Sequence, residues 1–400
     1  MRPRFVAVML AASTTFSIAA LAPDALASPT TAYRPASGAH ASFTNLGDTS
    51  PSVALSVSPA GQPEAAAVGK GGSLKFYYEQ GTKWHGVTVG KAGTAFSGPA
   101  LAAGPHGTAD IAVEGARHSL QYYALSHGRW HHVTIAGKSS TYSVPSIAIG
   151  PQGPAIAVRG AQNRLWYYSL SKGHWHASKV FGVNAAYSAP SLVIRAANQV
   201  GFGSPAGQAD IAVENANNSL SYYFSKKHGG WGSGLILHSV HKVYSAPSLM
   251  VIRGGTSFRD TGSMVIAFEG PNHSLLEAVH FTSTWSLVPL QGKGSLASAP
   301  SVAQGDEANR EIEIAYRAPD WTLQVYFPDT SSVEGIVAAN FTVSSAPVLV
   351  VRGSHPLGEN DLIFEGTKNT LWYYHAPNPP SGLPNFIGSR IAGLGTTFGG

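Results

Sequence analysis

The chain contains no cysteine. Disulfides are therefore excluded, although an exported protein is free to use them. Charge is sparse as well: Asp, Glu, Lys and Arg make up 12% of the residues, about half the usual share. The lysines and arginines form no run that would track a phosphate backbone, which argues against nucleic acid as a partner. Beyond residue 22 no apolar run approaches the length needed to span a bilayer. A nucleophile elbow, a phosphate-cradling glycine loop and a dinucleotide fingerprint are all missing. So is the repeated Ser-x-Asp-x-Gly-x-Thr-Trp of sialidase-type propellers.

What is present is turn formers and aromatics. The 400 residues include 45 Gly, 26 Pro and 10% aromatics, with an apolar fraction of 44%. That composition suits an all-β protein with many tight turns and enough apolar surface for a continuous core. At the N-terminus, Arg2 and Arg4 precede a mostly apolar stretch from Phe5 to Ala22, and Ala25-Leu26-Ala27 offers small residues to a signal peptidase. Residues 1–27 are expected to be a signal peptide cleaved before Ser28, with export as the outcome; a retained anchor is the competing reading. Cleavage lowers the formal charge from +5 to +4.

The remainder is repetitive. Ser97-Gly98-Pro99, Ser143-Val144-Pro145, Ser188-Ala189-Pro190, Ser245-Ala246-Pro247, Ser298-Ala299-Pro300 and Ser345-Ala346-Pro347 share one phrase, with Thr49-Ser50-Pro51 a looser first copy. Successive prolines lie 48, 46, 45, 57, 53 and 47 residues apart. A Leu leading into aromatics follows in each copy, as in Leu120-Gln121-Tyr122-Tyr123 and Leu371-Trp372-Tyr373-Tyr374, with worn versions at Leu275 and Leu323. Ten or eleven residues later comes Trp84, Trp130, Trp175, Trp231 or Trp285. Copy six has Ser332 near that place and copy seven has Phe386.

Each copy carries four short strand-like segments. In the third they are Ser146–Ile149, Ala155–Arg159, Leu165–Tyr168 and His174–Val180, separated by Gly, Asn or Pro. Four strands in about 45–57 residues, repeated seven times, predict a seven-bladed β-propeller of four-stranded antiparallel blades over residues 49–400. A β-helix or open sandwich fits the spacing less well. Residues 28–48 read as a leader; residues 40–48 either stay outside the ring or add a strand to the last blade.

Acidic residues recur in register. Glu114, Glu214, Glu269 and Glu365 share one position, occupied elsewhere by Arg159 and Arg317; Asp110, Asp210, Glu313 and Asp361 sit four residues earlier. Four residues of strand span roughly 13 Å, beyond the about 5–9.5 Å of a glycosidase pair. These acids are expected to bond turn amides or pair with Arg across blades. His131-His132 and His174-x-His176 are local His clusters. Neighbours on a strand face opposite ways, so His131 and His132 cannot share an ion, whereas His174 and His176 can. With no carboxylate or Cys beside them, neither a metal nor a cofactor is expected.

The recurring Trp stands out most. It is followed by His in three copies: Trp84-His85, Trp130-His131 and Trp175-His176. An indole face stacks on the C–H face of a sugar while polar neighbours bond its hydroxyls. A wedge between blades is the equally open alternative.

These phrases together resemble the seven-bladed bacterial lectins typified by the fucose-binding lectin of Photorhabdus. Their repeat, Val-x-x-Arg-Gly-x-x-Asn-x-Leu-Trp with a Trp strand and Ser-x-Pro, is nearest in Ile156-Ala157-Val158-Arg159-Gly160-Ala161-Gln162-Asn163-Arg164-Leu165-Trp166, then Trp175 and Ser188-Ala189-Pro190. The resemblance implies a propeller with sugars held in clefts between blades, and by position it points to Trp84, Trp130, Trp175 and Trp231. Departures exist: Ser126-His127-Gly128-Arg129-Trp130 stands where the family has Trp-Ser-Gly-Trp, and Tyr-Tyr replaces a basic residue. The expected protein is a secreted, extracellular, multivalent glycan binder without catalytic residues. Its expected contacts are Trp84, His85, Trp130, His131, Trp175, His176 and Trp231. A protein- or cell-wall-binding scaffold is the alternative, and a polysaccharide lyase or glycosidase using Glu114 and Glu214 a third.

Overall fold

A computed structural model describes residues 53–104, 109–199, 204–235, 242–252, 262–281, 284–305, 312–328, 332–336, 343–352, 359–377, 386–393 and 397. The signal peptide, the leader and the suggested extra strand at 40–48 lie outside the described residues. Everything described falls in the unit Tyr33–Gly400.

Seven four-stranded antiparallel sheets follow one another along the chain: blade 1 spans residues 53–90, then 100–136, 146–181, 191–235, 248–291, 301–336 and 348–392. Within each blade the strands are laid down in order from inside to outside. The first strands stand side by side in a ring, and that of blade 7 lies against that of blade 1. The chain is a seven-bladed β-propeller. In blade 7 all four strands come from the C-terminal end, Val348–Arg352 through Ile387–Ala392. The last junction is thus made by packing, with no strand exchanged among the described residues. The blade 3 strands run Ser146–Gly150, Gly153–Arg159, Leu165–Ser171 and His174–Phe181, each at or slightly beyond its expected bounds.

The repeated phrases have local physical reasons. In Ser-x-Pro the proline has no N–H to donate, and the serine turns the chain into the blade. Its hydroxyl donates to the carbonyl of the next residue, at 3.0 Å for Ser143, Ser188 and Ser345. It also accepts the N–H at the end of the second strand, from Arg159, Glu214, Arg317 and Glu365 at 2.9–3.3 Å. The residue after the proline stitches neighbouring blades. Ser146, Ser191, Ser248 and Ser301 accept the backbone N–H of Leu192, Leu249, Val302 and Leu349 in the next first strand, at 2.9–3.0 Å.

Second-to-third-strand hairpins use two left-handed residues in a row, the backbone of a type I′ turn. Gly71-Gly72 does this in blade 1, Gln162-Asn163 (φ 60 and 54) in blade 3 and Lys368-Asn369 in blade 7. Burial grades outward: Ala109–Gly115 is wholly buried, whereas the outer strand Arg129–Ala136 is exposed along most of its length. The Leu and both following aromatics, such as Leu120, Tyr122 and Tyr123, are buried as core.

Candidate functional site: the clefts between blades

Every described Trp of the recurring position is half-buried and leans on the blade before it. Trp84 meets Tyr373 edge-on with ring centroids 5.0 Å apart, Trp130 meets Phe76 at 5.1 Å and Trp175 meets Tyr122 at 4.9 Å. Trp231 meets Tyr167 at 5.1 Å and Trp285 meets Tyr222 at 5.5 Å. In all five the partner is the residue two after the repeat's Leu. The two positions change together. Where that residue is Val325, the next blade offers Phe386, and both belong to one packed cluster. Where it is Glu277, the next blade has Ser332 near the recurring Trp place. The indole is therefore a wedge between blades. Such aromatic pairs add about 0.5–1.5 kcal/mol beyond the area they bury.

Strand alternation separates each Trp from the His that follows it. On the outer strand of blade 2, Trp130 shares a face with Leu125, Tyr123 and His132, in the cluster facing blade 1. His131 pairs with Ala124 on the face toward blade 3. The Trp-His pairs do not form one site within a blade. They face each other across clefts. His85, stacked on Tyr78 at 5.5 Å, shares the cleft of Trp130. By the same alternation His131 shares that of Trp175, and His176 that of Trp231. Trp231 Nε1 donates to Ser178 Oγ at 3.0 Å in that last cleft. The seventh blade supplies His375, stacked on Tyr373 at 5.9 Å, to the cleft of Trp84. The sequence reading missed His375 because copy seven carries its His on the third strand; Tyr373-Tyr374-His375 is the visible signal. Each of these four clefts thus joins a half-buried indole, a third-strand aromatic and an imidazole.

The acids lie deeper. Asp110, Asp210 and Asp361 are buried on the second strands. They accept the phenols of Tyr122, Tyr222 and Tyr373, each twelve residues on and at 2.5 Å for the last two. Burial pushes all three phenols upward, and the neighbouring carboxylates push further. Asp210 is raised by burial against the pull of Arg195, whose Nε donates to it at 2.7 Å. Asp361 is pushed up to about 7, opposed by Arg352, whose Nε lies 3.2 Å away off the line of a hydrogen bond. For Asp210 and Asp361 the partners are thus a phenol and an Arg of the same blade, in place of the expected turn amides or Arg across blades.

Glu114 and Glu269 do face the second-to-third-strand turns, but their partners are His118 and His273 side chains, at 2.6 and 2.5 Å. Burial raises both carboxyls, and the imidazoles partly offset this. Arg159 reaches across a junction to the carbonyl of Tyr187 at 3.0 Å. Burial also lowers His132, which sits 2.6 Å from Gln121 Oε1. Among the described residues no three His, Cys, Asp or Glu side chains converge as a metal site would require, and no helix is long and apolar enough to cross a membrane.

No family model and no curated protein matches the chain. Solved structures do. The lectin BP39L of Burkholderia pseudomallei superposes with a TM-score of 0.71 at 17% identity, over 86% of this chain and 99% of that one. The chain has the fold of propeller lectins. AofleA of Arthrobotrys oligospora follows at 0.53 and 15% identity, covering 89% and 90%. The Aleuria aurantia lectin, a six-bladed propeller described for its fucose recognition, aligns at 0.52 and 11% identity over 87% and 97%. The lectin-like architecture expected from the repeat is the one found.

Proposed function

We propose that this protein is a secreted, multivalent carbohydrate-binding protein that takes sugars in the clefts between blades. The observation that carries the proposal is the repeated cleft: an indole only half covered by its wedge contact, flanked by a ring of the preceding blade and an imidazole. The exposed part of such an indole is a platform for a pyranose, and the His nitrogens are donors and acceptors for hydroxyls. The neighbouring folds belong to lectins, which supports the same reading. Weak sites repeated around one rigid ring gain avidity on a glycan-bearing surface. The N-terminal apolar segment supports export.

The wedge role dictates the test. Trp→Ala variants lose packing and binding together, so His85→Ala, His131→Ala and His176→Ala are combined in one chain running from Ser28 to Gly400. On a glycan array the wild type is expected to bind selectively, and the triple variant to lose the avidity of the repeated clefts, read as a clear drop in signal with an unchanged unfolding midpoint. Undiminished binding by the folded triple variant counts against the clefts as the site.

A further inference from the structure

One cleft differs from the rest. Between blades 3 and 4 lies a cavity of about 270 Å³ lined by Ala155, Tyr167, Ser169, Leu170, Ile194 and the turn Gly150–Gly153, with Ala206 and Gly207 closing one side. Two departures from the repeat coincide there. Ala155 stands in the column that holds Asp110, Asp210 and Asp361. Tyr167 is the counterpart of Tyr122, Tyr222 and Tyr373, yet no described residue accepts its hydroxyl, and desolvation alone lifts it to about 12. Its three counterparts are buried, whereas Tyr167 keeps part of its surface open. The space that an aspartate fills elsewhere is cavity here, and the phenol that would have bonded it lines that cavity.

The walls are set by connections of unequal length. Blade 3 joins its first two strands with residues 151–152, and blade 4 joins its own with residues 195–208. The longer connection is fastened at both ends. Arg195, 1% exposed, donates to Asp210, to the Gln199 carbonyl and to the Gly262 carbonyl at 2.7–3.3 Å, and Gln208 donates to Asp210 at 2.8 Å. Gly207, at φ +81, brings its backbone against Pro151, with its nearest atom 3.7 Å from a Cβ position. Across the cavity Ser171 holds the Gln152 amide oxygen at 3.3 Å.

Resting on the carbohydrate reading, we infer that this cavity is a singular, higher-affinity site for one pyranose ring, such as the terminal residue of a glycan. Its size lies just below the about 300 Å³ at which drug-sized ligands begin to fit, which admits one ring and excludes a chain. Ala155 and Ile194 meet the C–H face of the ring. The hydroxyls of Tyr167 and Ser169 and the amide of Gln152 meet its hydroxyls. Trp231 braces Tyr167 from behind.

The test is calorimetric titration of the Ser28–Gly400 chain with methyl α-glycosides of fucose, galactose, glucose and mannose. Ala155→Asp places in blade 3 the carboxylate that blades 2, 4 and 7 already accommodate. Tyr167→Phe removes only a hydroxyl and carries the test should the first variant fail to fold. One glycoside is expected to show one tight site per chain above a weaker class, and both variants to weaken the tight site by about tenfold or more. A tight class that survives in folded Ala155→Asp or in Tyr167→Phe overturns the inference, as does a single class of equal sites in the wild type; in both cases lectin activity stands. Failure of all four glycosides together with a blank glycan array removes the carbohydrate reading itself and the inference with it.

Discussion

Trp84 and Trp231 are matched wedges that differ in one N–H. Their edge-on contacts are alike, 5.0 Å and 65° onto Tyr373, and 5.1 Å and 68° onto Tyr167. Trp231 Nε1 has Ser178 as acceptor at 3.0 Å, whereas Trp84 Nε1 is buried with no partner among the described residues. Replacing either with Phe shrinks the wedge by a similar volume, so that cost is shared. Trp231→Phe additionally forfeits a hydrogen bond, about 0.5–1.5 kcal/mol, while Trp84→Phe removes an unsatisfied donor whose burial costs about 1–3 kcal/mol. The two variants are therefore expected to differ by roughly 2–4 kcal/mol in favour of Trp84→Phe. Urea unfolding of both, with unchanged m-values, reads the difference as a separation of midpoints. The contrast is of interest because Trp84 sits at the junction of blades 7 and 1, where no strand is exchanged among the described residues. A Trp84→Phe protein as destabilised as Trp231→Phe refutes the reasoning.

Three further outcomes follow from the same contacts. Asp361 has a folded-state value of about 7, above its unfolded value near 4. The folded form therefore holds the extra proton, and stability falls as pH rises from about 4 to 7. Asp210, Glu114 and Glu269 are raised too and add slope of the same sign. Urea midpoints measured from pH 4.5 to 8 should decline, and Asp361→Asn should flatten the part near pH 7; a rising curve contradicts the assignment. Tyr122→Phe takes a phenol from buried Asp110 and should cost about 1–3 kcal/mol, whereas Tyr167→Phe, with no described acceptor to strand, should cost well under 1 kcal/mol by the same unfolding assay. Ser191→Ala leaves the Leu249 N–H without its acceptor between blades 4 and 5 and should cost about 1 kcal/mol. Hydrogen exchange should show Leu249 losing protection first.

The blades were legible because each is a self-contained unit whose turns require particular residues. Ser-x-Pro marks the junction, paired left-handed residues mark a hairpin, and equal spacing of Leu-x-aromatic fixes the register. Seven registered copies then imply closure. The division of labour at the Trp position was less legible. Sequence neighbours such as Trp130 and His131 invite a joint role, yet the two-residue period of a strand sends them to different clefts. The proper partners, Trp130 with His85 and Trp84 with His375, lie a blade apart in the chain or at its opposite ends. The phenol–carboxylate pairs were hidden for a similar reason: Asp110 and Tyr122 are adjacent only once the hairpin folds. Ala155 is visible in the sequence as a break in the acidic column. Its meaning emerges only when Tyr167 is seen beside the space it leaves.

The most direct test is a crystal structure of the Ser28–Gly400 chain soaked with the best glycan-array ligand. Sugar density is predicted against the indoles of Trp84, Trp130, Trp175 or Trp231, with an imidazole or phenol of the preceding blade within hydrogen-bonding distance. Density confined to the central channel, or to the face that carries Phe96 and Tyr244, would contradict the account.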